Sequence, residues 1–191
     1  MKVGLFFGSF NPIHIGHLAI ANYIAEFTDL QQIWLVVSPQ SPFKNTKSLL
    51  PEYQRYYMVE LALGQDLQIM PSNIEFILPR PSYTIDTLTY LMEKHPNKEF
   101  SLIMGSDNLV HLHKWKNYRE LLEQSQLYVY PRPGTDPMAY QDRYAFHRVD
   151  APLMEISSSL IRKAISQGKD MRYFLPRPVY DYIREMHFYE N

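Results

Sequence analysis

The decapeptide Gly8-Ser9-Phe10-Asn11-Pro12-Ile13-His14-Ile15-Gly16-His17 constrains this chain more than any other stretch. Ahead of it, Val3-Gly4-Leu5-Phe6-Phe7 reads as a buried strand. Behind it, Leu18, Ala19, Ala21, Tyr23, Ile24, Ala25 and Phe27 recur at roughly helical spacing. The decapeptide is therefore a strand-to-helix turn. The first N–H groups of a helix have no intrahelical partner, and the helix dipole favours negative charge there. Gly8 and Gly16 permit close backbone approach, and His14 and His17 stand where their rings can converge on one point. Imidazole can donate a hydrogen bond to a phosphate oxygen in either charge state. The turn is a candidate anion site, although it is neither the dinucleotide G-x-G-x-x-G nor a P-loop.

The remainder of the chain alternates in the same way. Gln32–Val37 reads as a second buried strand, ending in the proline-punctuated loop Ser38–Lys44. Pro51-Glu52 opens a helix with Pro at its first position, and Tyr56, Val59, Leu61, Ala62 and Leu63 give it a core face. Gln68–Met70 is a short extended piece and Ile74–Ile77 a candidate strand. A Ser or Thr within Ser82–Thr87 is expected to cap the helix carrying Leu88, Leu91 and Met92. Phe100–Met104 is a strand closed by Gly105-Ser106-Asp107, with Ser106 or Asp107 as a helix cap. Helical stretches then contain Leu109, Leu112 and Trp115, and Tyr118 to Glu123. Leu127–Tyr130 is a strand running into Pro131-Arg132-Pro133-Gly134. Residues 135–145 read as helix or loop, and Phe146–Val149 and Leu153–Ile156 as short extended pieces. Ser157-Ser158-Ser159 precedes a helix that Gly168 ends, and a last helix spans Pro176–Met186.

Strands alternating with helices predict a doubly wound α/β domain, with a mainly parallel sheet and helices on both faces. Ligands of such sheets bind beyond the carboxyl ends of the strands. The length of 191 residues suits one domain, with residues from about 157 onward as its C-terminal helical part. A formal net charge of −1 gives no reason to expect nucleic acid or an anionic membrane as partner. No apolar run is long enough to span a bilayer, and Met1-Lys2-Val3 enters the first strand directly, so no signal peptide is expected. The absence of cysteine excludes disulfides and thiolate metal sites and suits the cytoplasm.

Ile156-Ser157-Ser158-Ser159-Leu160-Ile161-Arg162 is a second candidate phosphate nest, with hydroxyls and free N–H groups at a helix start and a guanidinium in its first turn. Lys44 is a candidate cation closing over a polyphosphate. Asp107 places a carboxylate at the mouth of a strand-to-loop turn, and Trp115 can stack on an aromatic ring or simply fill core.

Gly8 to His17 resembles the G-[ST]-F-[DN]-P-x-[HT]-x-G-H signature of the nucleotidyltransferase superfamily, and Ile156 to Arg162 resembles its I-S-S-[ST]-x-[IV]-[RK] motif. Ser82 to Leu88, Gly105 to Asp107 and Trp115 are similar to the S-Y-T-x-D-T-L, G-x-D and Trp of the nicotinate-type mononucleotide adenylyltransferases. Arg55-Tyr56-Tyr57-Met58 and Arg132-Pro133-Gly134 match that family's R-x-x-M helix and R-P-G turn, so the resemblance covers nearly the whole chain. It implies a Rossmann-like fold that transfers AMP from ATP to nicotinate mononucleotide, with Mg²⁺ accompanying ATP and no protein ligand to a metal. It implies catalytic roles for His14, His17, Lys44 and Arg162. ATP contacts are implied at Gly8, Ser9, Phe10, His14, Gly16, His17, Gly105, Asp107, Ile156, Ser157, Ser159 and Arg162. Pyridine-nucleotide contacts are implied at Ser9, Phe10, Lys44, Tyr83, Thr84, Trp115, Lys116 and Arg132. Phe7, Asn11 and Lys116 depart from the commoner Gly, Asp and Tyr of that family. A related enzyme acting on nicotinamide mononucleotide or phosphopantetheine, or a non-catalytic nucleotide sensor, would share the phosphate motifs. A homo-oligomer is compatible with the same sequence.

Overall fold

Apolar residues in the strands divide between two faces with a period of two, which requires helices on both sides of one sheet. In the computed structural model, which describes residues 1–40 and 49–190, this is the arrangement found. The strands are β1 (Lys2–Gly8), β2 (Gln32–Val37), β3 (Ile69–Ser72), β4 (Glu99–Gly105), β5 (Leu127–Tyr130) and β6 (His147–Arg148). They pair in parallel in the order β3-β2-β1-β4-β5-β6. The helices are α1 (Ile15–Phe27), α2 (Glu52–Leu63), α3 (Thr84–Lys94), α4 (Tyr118–Gln124), α5 (Ser158–Ser166) and α6 (Arg177–Glu185). On one face Ile33, Leu35, Val37 and Ile103 pack with Ile20 and Ile24 of α1, Met58 of α2, Ile161 of α5 and Val179 of α6. On the other, Leu5, Val36, Leu102 and Val129 pack with Leu88 and Leu91 of α3 and Leu121 of α4. Each such side chain, fully buried, contributes about 1.5–3 kcal/mol.

Strand order reverses between β1 and β4, which leaves a crevice beyond their carboxyl ends. Gly8 ends one of these strands and Gly105 the other. The switch point therefore lies where the decapeptide and the Gly105 turn both begin.

Several local expectations are corrected. Ile74–Ile77 is a single 3-10 turn rather than a strand. A strand would have sent alternate side chains to opposite faces; the turn instead carries Glu75, only 2% exposed, inward to accept a hydrogen bond from Thr87 Oγ1 at 2.9 Å. Neither Ser82 nor a threonine caps α3: Tyr83 occupies the N-cap, Thr84 is the first helical residue and the Thr87 hydroxyl is engaged by Glu75. Ser106 and Asp107 lie inside a one-turn 3-10 helix with Gly105 at its cap. Ser106 Oγ is instead committed to donating to Thr135 O at 3.0 Å and accepting from Arg132 N at 2.9 Å. The stretch from Leu109 to Trp115 is not a continuous helix but contains a second such turn, Leu112–Lys114. Pro51 is the N-cap of α2 rather than its first residue. Pro137–Tyr140 is a 3-10 turn capped by Asp136, and Leu153–Ile156 joins no strand.

Candidate active site

The signature turn is built by close packing of its own rings. Phe10 has φ of 44°, a left-handed conformation unusual for a bulky residue. That conformation folds its ring back over Gly8, where an added Cβ would meet the ring at 2.7 Å, so only glycine fits. His14 forms the N-cap of α1 and donates its backbone N–H to His17 Nδ1 at 3.3 Å. With Nδ1 as acceptor, a neutral His17 ring carries its proton on Nε2, where it can donate. The two imidazoles stack at 3.7 Å and 25°, and the edge of Phe10 meets His17 at 5.1 Å. Gly16 lies behind this stack, and a Cβ there would press on the His14 ring at 3.1 Å.

The second motif closes on the first. Ser158 Oγ donates to Pro12 O at 2.9 Å, and Arg162 donates to Asn11 O at 2.8 Å and to Ser159 Oγ at 3.3 Å. Ser157 caps α5 by accepting from Leu160 N. The N-termini of α1 and α5 thus face one cavity of about 430 Å³, which Gly8, Ser9, Phe10, His14, His17, Ile156, Ser157, Ser159 and Arg162 line. Asp107 and Arg132 line it too, 3.9 Å apart as an ion pair. Two arginines and two helix N-termini suit this cavity to a polyanion.

A second cavity, of about 220 Å³, shares the Gly8-Ser9 wall. Tyr83, Thr84, Trp115 and Lys116 line it with Phe7, Ser38, Glu75, Ser82 and Gly105. Lys116 ion-pairs with Asp86 at 2.8 Å and lies 4.8 Å from the centre of the Tyr83 ring. Flat aromatic walls with one ammonium and one carboxyl suit a small charged aromatic ring.

The sequence-derived residues thus fall into two groups. Gly105 borders the aromatic cavity rather than the cationic one, whereas Phe10 and Arg132 border the cationic cavity and not the Trp115 side. Gly16 supports His14 from behind without lining either. Lys44 lies outside the described residues.

Sequence reasoning missed two buried charged residues behind the walls. Arg55 of α2 is fully buried and donates to four carbonyls: Leu50 O at 2.8 Å, Ser9 O at 2.6 Å, Ser38 O at 2.8 Å and Pro39 O at 3.0 Å. Burial lowers its pKa to about 10, which leaves it charged at neutral pH. Glu75 is the other; burial raises its carboxyl above the ordinary range, against the hydroxyls of Ser38, Thr87 and Ser82 that favour the charged form. The R-x-x-M match marked Arg55 as part of a helix but nothing in its spacing shows that it faces inward.

Burial, aided by the charge of Arg132, lowers the pKa of His14 from 6.5 to about 4, so the ring is neutral across the physiological range. Between these two values the unfolded chain binds more protons, so this residue makes stability fall as pH drops from 6.5 towards 4. Urea unfolding at pH 7 and pH 5 checks this. The loss of stability between them should be about 2 kcal/mol smaller in His14→Gln than in the parent protein.

Comparison with known proteins adds to this geometry. The cytidylyltransferase-like family model matches residues 5–164. The chain is 52% identical over its whole length, and the whole of the relative's, to the probable nicotinate-nucleotide adenylyltransferase of Flavobacterium johnsoniae. It is 48% identical, again over all of both chains, to the similarly named protein of Cytophaga hutchinsonii. Among solved structures it resembles Plasmodium falciparum nicotinic acid mononucleotide adenylyltransferase complexed with NaAD, with a TM-score of 0.83 at 22% identity over 98% of this chain and 97% of that one. The Rossmann-like sheet, the paired histidines at its switch point and the full-length relatives together establish that this chain belongs to the cytidylyltransferase-like family, among its nicotinate-nucleotide adenylyltransferases.

Proposed function

We propose that this protein transfers the adenylyl group of ATP to nicotinate mononucleotide, forming nicotinate adenine dinucleotide and pyrophosphate. The observation that carries this reading is the pair of cavities, one cationic and one aromatic, meeting at Gly8-Ser9. A triphosphate in the first and a pyridine ring in the second would bring an acceptor phosphate to the α-phosphorus across that shared wall. The bond formed joins a mononucleotide phosphate oxygen to the α-phosphorus, and the bond broken releases pyrophosphate with its electron pair. The substrate phosphate is the nucleophile, so the protein acts by positioning and charge stabilisation.

In this reading His14 and His17 donate to the α- and β-phosphates, and Ser157, Ser159 and Arg162 hold the outer phosphates. Lys44, outside the described residues, takes the same polyphosphate by its resemblance. Gly8, Ser9 and Phe10 bring backbone against the nucleotide, Ile156 walls the phosphates, and Gly16 braces His14. Asp107 accepts from the adenosine ribose near Gly105, with Arg132 beside it. Tyr83, Thr84, Trp115 and Lys116 frame the pyridine and its carboxylate. Among the described residues no cluster of three or more His, Asp or Glu is arranged to hold a metal ion. Asp107 is the one carboxylate lining the cationic cavity among the described residues. That donor set fits a Mg²⁺ carried in by the triphosphate and its waters, which would neutralise the phosphate charge. A cysteine-free chain using ATP suits the cytoplasm, and no helix among the described residues is long and apolar enough to cross a membrane.

Pyrophosphate release from ATP and Mg²⁺ with nicotinate mononucleotide, nicotinamide mononucleotide and phosphopantetheine in parallel tests the substrate assignment. Preference for the nicotinate substrate by tenfold or more, about 1.4 kcal/mol in transition-state binding, is the expected result. Release only with phosphopantetheine would overturn it.

A further inference from the structure

Glu75 is the single acidic side chain that lines the aromatic cavity among the described residues, and nothing in the reaction above uses it. It is 2% exposed. A carboxyl group so deeply buried is retained against a desolvation cost of several kcal/mol, which polar partners must offset. Those partners come from two segments of the chain. Thr87 of α3 donates to Oε1 at 2.9 Å. The hydroxyl of Ser38, just past β2, and that of Ser82, just ahead of α3, both favour its ionised form. Glu75 Oε2 and Ser82 Oγ are nevertheless buried without a hydrogen bond of good geometry in this conformation. Ser38 is held from its other side as well, since its carbonyl accepts from Arg55. Ser38 and Ser82 line the cavity, and Tyr83 and Thr84 follow Ser82 directly.

We infer that Glu75 is a positioning residue for the acceptor cavity: its carboxyl group holds the Thr87 hydroxyl, lines the same wall as Ser38 and Ser82, and so fixes the start of α3, with Tyr83 and Thr84, against the end of β2. Its two unfilled groups, Oε2 and Ser82 Oγ, complete their bond when an acceptor seats on Tyr83 and Thr84. The inference rests on the assignment of this cavity to the pyridine mononucleotide. It predicts an effect on one substrate and not the other, because Glu75 lines the aromatic cavity and not the cationic one.

Glu75→Gln keeps the shape and replaces an acceptor with a donor. Steady-state kinetics should show KM for nicotinate mononucleotide raised about tenfold, with KM for ATP within about twofold of the parent value. In the ligand-free protein, amide hydrogen exchange of residues 83–88 should quicken about tenfold while residues 16–22 stay unchanged. Ser82→Ala, at the edge of the cluster, should shift the same KM in the same direction and serves if Glu75→Gln does not fold. Unchanged exchange and unchanged KM values would overturn the inference, as would a parallel rise in both KM values. A parent protein that makes no dinucleotide from nicotinate mononucleotide would instead refute the substrate assignment, and exchange at residues 83–88 would still decide the role of Glu75.

Discussion

Replacing His17 with alanine should lower kcat/KM for dinucleotide formation by about two to three orders of magnitude while the protein stays folded. The imidazole stacks on His14 at 3.7 Å and takes the His14 backbone N–H on Nδ1, so the proton of the neutral ring is on Nε2, the atom that can donate to a phosphate. A donor already aimed where charge develops is worth about 2.7–4 kcal/mol of transition-state stabilisation in comparable sites. His17 is half-buried; its 3.3 Å hydrogen bond is worth about 1 kcal/mol, and its ring contacts with His14, Phe10 and Phe6 add to the stability lost with it. Kinetics and urea unfolding of the same preparation separate the two effects. A rate within threefold of the parent value would remove His17 from the phosphate site.

Arg55→Met should destabilise the fold by about 3 kcal/mol or more, the largest loss expected from a single residue behind the site. Four carbonyls lose their donor at once, and the guanidinium is fully buried, so water cannot simply take its place. Charge-assisted hydrogen bonds of this kind are individually worth about 1.5–3 kcal/mol, and removing a shared donor leaves each acceptor desolvated. Arg55→Lys should recover only part of the loss, because an ammonium cannot reproduce the planar fork that spans Ser9, Ser38, Pro39 and Leu50. Activity should fall in both variants, since Ser9 and Ser38 line the aromatic cavity. A loss under about 1 kcal/mol for Arg55→Met by urea unfolding would contradict this account of the loop.

Much of this arrangement is legible in the chain. Gln32–Val37 and Leu127–Tyr130 are strands to the residue, because buried parallel strands are short unbroken apolar runs bounded by turn formers. The decapeptide and the Ser157-Ser158-Ser159 motif converge across 146 and 151 residues of sequence through Ser158 to Pro12 and Arg162 to Asn11. Each advertises its chemistry locally, as a helix start with histidines or serines at its first turn. Ile74–Ile77 was not legible, since Ile74, Phe76 and Ile77 satisfy an apolar strand and a 3-10 turn equally; the buried Glu75–Thr87 contact selects the turn. Arg55 and Glu75 escape for a related reason. A charged residue on a helix or turn reads as a solvated face until its tertiary partners are known, and here those partners are carbonyls and hydroxyls from distant segments. The assignment of Arg132 to one cavity rather than the other depends on the fold of the Arg132–Thr135 bridge, which spacing does not encode.

The central claim is that the cationic and aromatic cavities hold two substrates between which an adenylyl group passes. Incubation with ATP labelled at the α-phosphate, Mg²⁺ and nicotinate mononucleotide, followed by separation of products, tests it most directly. Label in nicotinate adenine dinucleotide, with one pyrophosphate released per dinucleotide formed, is the predicted result. Protein that binds ATP but leaves the label there in the presence of the mononucleotide would contradict it, and would make the paired cavities a nucleotide receptor without transfer.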